Sequence, residues 1–177
     1  IENIGAVKNV SAAALDGEKI GVAVTEAEQP APWPVTLWLR PRNLALGVGC
    51  KRGTALENLR AALDDFLSGA GVSKLSLYAL ASIDLKKDEE GLVALARELK
   101  VPFLTFPAVE LAAVPGQFSH SEKVLDVAGV DNVCERAAVL ASDLGPLLRG
   151  KTRYPGVTFA LARRKIFDHT EKADSSM

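Results

Sequence analysis

An α/β fold is the class this sequence predicts, and three observations carry it. From Leu44 onward, apolar strand-like runs alternate with amphipathic helical runs, the rhythm of strands joined through helices. Glycine- or proline-bearing turns separate most of these runs, as turn chemistry requires. A chain of 177 residues, 48% hydrophobic and 24% charged, has an ordinary globular composition and can bury roughly two thirds of its unfolded surface.

Taken in order, residues 1–16 read as the end of a helix, with Ile4, Val7, Ala14 and Leu15 near one face and Asp16-Gly17 as its stop. Lys19 to Val24 reads as a short strand. The connection from Glu26 to Pro34, EAEQPAPWP, is too proline-rich to continue either element. Val35 to Leu39 follows as a strand, with Trp33 and Trp38 as packing residues. A boundary is expected near residue 40. Residues 1–40 are too few to bury a core and are assigned to the tail of a preceding domain and its linker. Residues 41–165 form the α/β domain, and 166–177 form a frayed polar tail.

The segment Leu44 to Thr54, LALGVGCKRGT, organises the domain: an apolar strand, a glycine-rich turn, then Thr54-Ala55-Leu56-Glu57 as a capping box. Strand, turn and helix start together make an anion site, because glycine admits close backbone approach and a helix N-terminus offers unpaired N–H groups. Neither nucleotide signature fits. GxxxxGK[ST] needs a lysine after its last glycine, where Thr54 stands, and Gly47-Val48-Gly49 is one residue too far from Gly53 for GxGxxG.

The first helix carries Leu56, Leu59, Leu63, Phe66 and Leu67 at helical spacing, ending at Gly69 and Gly71. Lys74 to Ile83 alternates as a strand with a polar exit through Asp84, Lys86, Lys87, Asp88, Glu89 and Glu90. A second helix places Leu92, Leu95, Ala96 and Leu99 on one face. Val101 to Phe106 is the next strand, and Pro107-Ala108 opens a short helix that breaks at Pro115-Gly116. Ser119 to Glu122 gives another capping box. Asp131 caps a helix bearing Val133, Ala137, Leu140 and Leu144, stopped by Gly145-Pro146. Val157, Phe159 and Leu161 mark a final strand.

If the strands run parallel, the polar segments at 47–54, 82–89, 118–122 and 131–136 meet outside the carboxyl ends of the sheet, where open α/β sheets bind ligands. Such a pocket would present Lys51, Arg52 and Lys86 beside Asp84, Asp88 and Glu135, a set suited to a large polyanion with an apolar body. The net charge of −1 gives no global field for nucleic acid or a membrane surface. Cys50 and Cys134, in no CxxC pair, fit a reduced cytoplasmic setting. No membrane-length apolar run and no secretory signal is visible, and the start at Ile1 fits a piece of a longer protein. No Ser-His-Asp order or metal-ligand spacing occurs. Cys50 has no histidine–acid pair to activate it, His120 reads as a loop residue near a cap, and Cys134 reads as a buried thiol.

Through LRPRNLALGVGCKRGT (39–54), ASIDLKKDEEGLVALARELKVPFLTF (81–106), Phe118-Ser119 and GVDNVCERAAVLAS (129–142), the chain resembles the CbiG/CobE proteins of cobalamin biosynthesis. The resemblance covers most of residues 39–162, and the extension through residue 38 resembles the tail of the middle region of CbiG. It implies a three-layer α/β/α domain with a mostly parallel or mixed sheet. It also implies the activity of a cobalt-precorrin-5A hydrolase, which opens a δ-lactone on the macrocycle and releases acetaldehyde. The alternative is a non-catalytic corrinoid-binding or carrier module of the CobE type. In the hydrolase reading Gly47, Gly49, Cys50, Lys51, Arg52, Gly53, Thr54 and Ser119 bind substrate, while Lys86, Glu135, Asp84 and Asp88 are the candidates for proton transfer or charge pairing. Cobalt arrives inside the substrate, so no protein-bound metal or cofactor is expected. The partners implied are the cobalt corrinoid, other enzymes of the corrin pathway and a second copy in a homodimer.

Overall fold

In the computed structural model, which describes residues 20–118 and 132–164, five strands form one mixed sheet in the order β5-β4-β3-β7-β6. Strands β3 (Leu44–Cys50), β4 (Leu77–Ile83) and β5 (Phe103–Phe106) are parallel. Strand β7 (Val157–Arg163) runs antiparallel to β3, and β6 (Leu147–Tyr154) antiparallel to β7. Helices α1 (Leu56–Ala70) and α2 (Glu90–Leu99) make the crossovers between the parallel strands. Helix α3 (Ala108–Ala113) follows β5, and α4 (Val133–Ala141) precedes β6. The three-layer α/β/α expectation is met, with a mixed sheet.

Successive side chains of a strand face opposite ways, and here the two faces differ in size. Leu44, Leu46, Val48, Leu80, Phe159 and Leu161 face α1 and α2, where they meet Leu59, Leu63, Phe66, Leu92 and Leu95. Burying each of these large side chains contributes roughly 2 kcal/mol. The opposite face is lined by Ala45, Ala81, Ala160 and Ala162, against Ala137, Ala138, Ala141 and Cys134 of α4. Small residues on both sides let α4 lie close. A Cβ built on Gly47 would stand 1.8 Å from the Cys134 carbonyl oxygen and 2.8 Å from the Ala138 nitrogen. Gly47 is therefore a packing glycine.

Strands β1 (Ile20–Val24) and β2 (Val35–Leu39) form a separate parallel pair. The intervening segment is stitched to the main sheet: Ser73 N–H donates to the Glu26 carbonyl (2.7 Å), Asn43 Nδ2 to the Glu26 carboxylate (2.9 Å), and Glu28 N–H to the Gly71 carbonyl (2.8 Å). Trp33 packs on Gly21, and the Arg40 guanidinium lies 4.4 Å over the Trp38 ring.

Four expectations are corrected. Lys74 to Ser76 is a 3-10 turn, so the strand begins at Leu77. The Leu77 and Ala79 pairings are offset by a bulge. Helix α4 ends at Ala141, leaving Leu144 outside it with φ +58° and half exposed. The cap of α4 is Asn132, not Asp131: the Asn132 side chain accepts the Glu135 N–H. Strand β6 was not anticipated, because LLRGKTRY carries three cations and a glycine and its pairing with β7 shifts register twice. The segments read as a helix at 1–16, as a capping box at Ser119–Glu122 and as a tail at 166–177 lie outside the described residues, as does Asp131.

Substituting Gly47→Ala should lower unfolding free energy by about 3 kcal/mol, since the added methyl meets helix backbone. Gly53→Ala, at φ +70° but in open space, should cost roughly 1 kcal/mol. Urea unfolding of both variants checks the order. Equal losses would contradict the packing assigned to Gly47.

Candidate functional site

The parallel strands deliver two turns to one edge of the sheet. After β3, the Lys51 N–H donates to the Gly156 carbonyl at the tip of the β6–β7 hairpin (2.9 Å). The Thr54 hydroxyl turns back to the Lys51 carbonyl (2.7 Å). Gly53 occupies the left-handed region at φ +70°, which glycine adopts without steric cost. With its hydroxyl so engaged, Thr54 does not cap the helix. The N-cap is Ala55, no side chain caps α1, and Glu57 stays exposed. The expected capping box is thus not formed, and the helix start keeps its unpaired donors facing outward.

After β4, Asp84 to Lys86 makes a 3-10 turn and Glu89 becomes the N-cap of α2. Its side chain does not cap that helix. It reaches across to the other turn instead: Oε1 accepts the Gly53 N–H, and Oε2 accepts from the Lys86 ammonium at 3.1 Å. The Lys86 and Glu89 side chains are only 18% and 9% exposed. Burial works against the charge on Glu89, but the Gly53 N–H, Lys86 and Arg52 outweigh it and hold the carboxyl below the usual glutamate range. Gly91 admits the Thr54 carbonyl, which would stand 2.3 Å from a Cβ there.

Between the two turns lies an open groove of about 740 Å³. Arg52, Leu56, Leu85, Asp88, Glu90 and Ala94 give its walls their chemistry. Leu85 is 66% exposed, an apolar side chain held in solvent at the groove's side. Among the described residues neither Lys51 nor Arg52 forms an ion pair. The groove is bipolar. Arg52 supplies positive charge, while Asp88 and Glu90 stand near the start of α2.

The structure separates the remaining candidates from this groove. Gly47 and Gly49 lie beneath it in β3, Gly47 against α4 and Gly49 against Thr158. Asp84 is half-buried at the end of β4 and does not line the groove. Glu135 belongs to α4 on the opposite face, 4% exposed, where Oε1 accepts the Lys151 N–H (2.6 Å) and Oε2 accepts from the Asn132 amide. It ties the start of α4 to β6. Ser119 lies outside the described residues. Burial raises the Cys50 thiol, with Lys86 pulling against it and Glu89 adding to it. The Cys134 thiol, buried in α4, is pushed up to about 11. Glu89 was not singled out in the sequence, because one carboxylate in the run KKDEE carries no local signal that distinguishes it from its neighbours. Glu90 is hidden for the same reason, and a single leucine at position 85 gives no sequence sign that it stands exposed beside a groove.

The profile of the family described as Cobalamin synthesis G C-terminus matches residues 44–162. Over 129 residues the chain is 39% identical to the cobalt-precorrin-5A hydrolase of Salmonella typhimurium, covering 72% of this chain and 36% of that protein. It is 35% identical over 123 residues to the cobalt-precorrin-5A hydrolase of Priestia megaterium, covering 70% and 33%. The chain thus spans about a third of the length of these two relatives. Among solved structures, the 1.7 Å crystal structure of CobE, a protein from the cobalamin (vitamin B12) biosynthetic pathway, superposes with a TM-score of 0.64. The identity is 40%, covering 70% of this chain and 91% of that one.

Both thiols should be protonated at neutral pH, but only Cys50 is partly accessible. Iodoacetamide at pH 8 should modify Cys50 slowly, faster as pH rises, and leave Cys134 intact until the fold is opened with denaturant. Mass spectrometry of the labelled peptides checks this. Early labelling of Cys134 would contradict its burial.

Proposed function

The chain belongs to the cobalamin synthesis G C-terminal family, and from that premise we propose that it forms the C-terminal part of a cobalt-precorrin-5A hydrolase. The reaction proposed is water attack on the δ-lactone carbonyl of the corrinoid and collapse with cleavage of the acyl carbon–oxygen bond. The freed alkoxide then becomes the carbonyl of acetaldehyde as the carbon–carbon bond breaks, its electron pair going to the macrocycle carbon, which takes up a proton. The bipolar groove between the β3–α1 and β4–α2 turns is the observation that supports it. Lactone opening needs a base for water or a hydroxyl proton and donors for the developing oxyanion. Asp88, exposed beside the groove, serves as the base. The uncapped start of α1 and Arg52 supply donors and positive charge, with Lys51 nearby for the peripheral carboxylates. Leu85, Leu56 and Ala94 offer apolar surface to the macrocycle. Lys86 is engaged by Glu89 and acts as a local cation. The cobalt travels within the substrate.

A second reading has its own support. The match covers 91% of the CobE structure, so this domain accounts for nearly all of a chain of that kind, and a binding or carrier module without turnover would need nothing more. Residues 1–40 are proposed as the tail of a preceding domain. Among the described residues, strands β1 and β2 pair with each other and leave Ile20, Val22, Val24, Val35, Leu37 and Leu39 about half exposed or more, an apolar face suited to contact with a preceding domain.

Anaerobic release of acetaldehyde from cobalt-precorrin-5A separates the readings, measured for this chain and for a version extended at its N-terminus. The hydrolase reading predicts release by at least the longer protein. In that protein Asp88→Asn should lower kcat by about a hundredfold with little change in substrate affinity. Arg52→Ala should weaken substrate binding about tenfold, the more so at low salt. Tight corrinoid binding without acetaldehyde from either protein would establish the carrier.

A further inference from the structure

We propose that Glu89 is a positioning residue of this groove. By bridging the Gly53 N–H and the Lys86 ammonium, it locks the β3–α1 turn to the β4–α2 turn and sets where Arg52 stands. The inference takes its ligand from the functional reading above; the bridge itself does not depend on that reading.

Geometry carries it. Glu89 sits at the N-cap of α2, where a short polar side chain would normally satisfy the helix's own N–H groups, yet it makes no such cap. Its two oxygens are divided instead, Oε1 to the neighbouring turn and Oε2 to Lys86. On the side where a Cβ would stand, Gly53 meets nothing within 4 Å. Within its own turn the Thr54–Lys51 bond closes the loop. Among the described residues, the Glu89 carboxylate supplies the hydrogen bond between the two turns. Arg52, next to Gly53, is fixed to the extent that Gly53 is fixed, and its guanidinium also bears electrostatically on Glu89. Charge-assisted bonds of this kind are the stronger ones and fix direction as well as distance.

The consequence is opposite to simple charge arithmetic. Glu89 is an anion beside a groove read as binding a polycarboxylate, so removing its charge would by electrostatics alone tighten binding. If Glu89 positions Arg52, removing its charge loosens the turn and weakens binding.

The experiment uses the full chain and cobyrinic acid, a cobalt corrinoid with free peripheral carboxylates, titrated calorimetrically against wild type, Glu89→Gln and Glu89→Asp. Both variants should bind roughly tenfold more weakly than wild type, because glutamine loses the pairing with Lys86 and aspartate cannot span both partners. Binding by Glu89→Gln as tight as wild type or tighter overturns the proposal. A second readout needs no corrinoid, and its wild-type arm needs no variant. In wild type the Gly53 amide proton shift should follow the titration of a carboxyl below the ordinary glutamate range, and no such inflection should occur in Glu89→Gln. A Gly53 shift insensitive to acid overturns the bridge. A wild-type chain that shows the Gly53 titration but binds no corrinoid overturns the functional reading, and with it the ligand assigned to this groove, while leaving the bridge standing.

Discussion

The backbone of α4 lies so near β3 that nothing larger than glycine fits at position 47, and much of the architecture follows from that contact. A close helix requires small residues across its whole footprint. Ala45, Ala81, Ala160 and Ala162 on the sheet meet Ala137, Ala138 and Ala141 on the helix. On the other face α1 and α2 stand off on leucines and phenylalanines, while the α4 side is built mainly of alanines with Ile83, Leu111 and Val133 beside them. That division decides which face carries the groove. The opening at the ends of β3 and β4 forms between the starts of the two helices that large residues hold away from the sheet. The start of α4 reaches the same edge already committed, with Glu135 bonded to Lys151 and Asn132.

Local electrostatics, not overall charge, shapes the groove. A chain of net charge −1 concentrates Lys51, Arg52 and Lys86 within two short turns and sets Asp88, Glu89 and Glu90 against them. Glu89 pairs with Lys86, while Arg52 and Lys51 stand without ion pairs among the described residues. In the function proposed, the positive charge would orient an anionic substrate and the nearby carboxylate would take a proton, as hydrolysis of an ester-like bond requires.

The α/β class was legible because periodicity survives where elements are buried: the leucines of α1 and α2 and the alternation in β3, β4 and β7 have few other readings. Strand β6 was not, since an edge strand needs no apolar alternation and this one carries Arg149, Lys151 and Arg153. The edge of the sheet that bears the groove could be named from topology, and Arg52, Gly53, Thr54 and Asp88 could be placed beside it. The tasks of single residues were less accessible. Thr54-Ala55-Leu56-Glu57 has the sequence of a capping box, but a local bond from the Thr54 hydroxyl back to the Lys51 carbonyl displaces it. Gly47 and Gly53 sit in one glycine-rich run, and only the distance to α4 shows that the first serves packing and the second a turn. Glu135 and Glu89 are both acids at helix starts, and each divides its oxygens between a residue three positions back and a backbone N–H distant in sequence.

The central claim is that the turns after β3 and β4 form the corrinoid site. Amide chemical-shift mapping of the isotopically labelled chain during titration with a cobalt corrinoid tests it most directly. The account predicts that the largest changes fall on residues 52–57 and 85–94, with α3 and the β1–β2 pair unaffected. Changes confined to the α4 face, or none at saturating corrinoid, would contradict it.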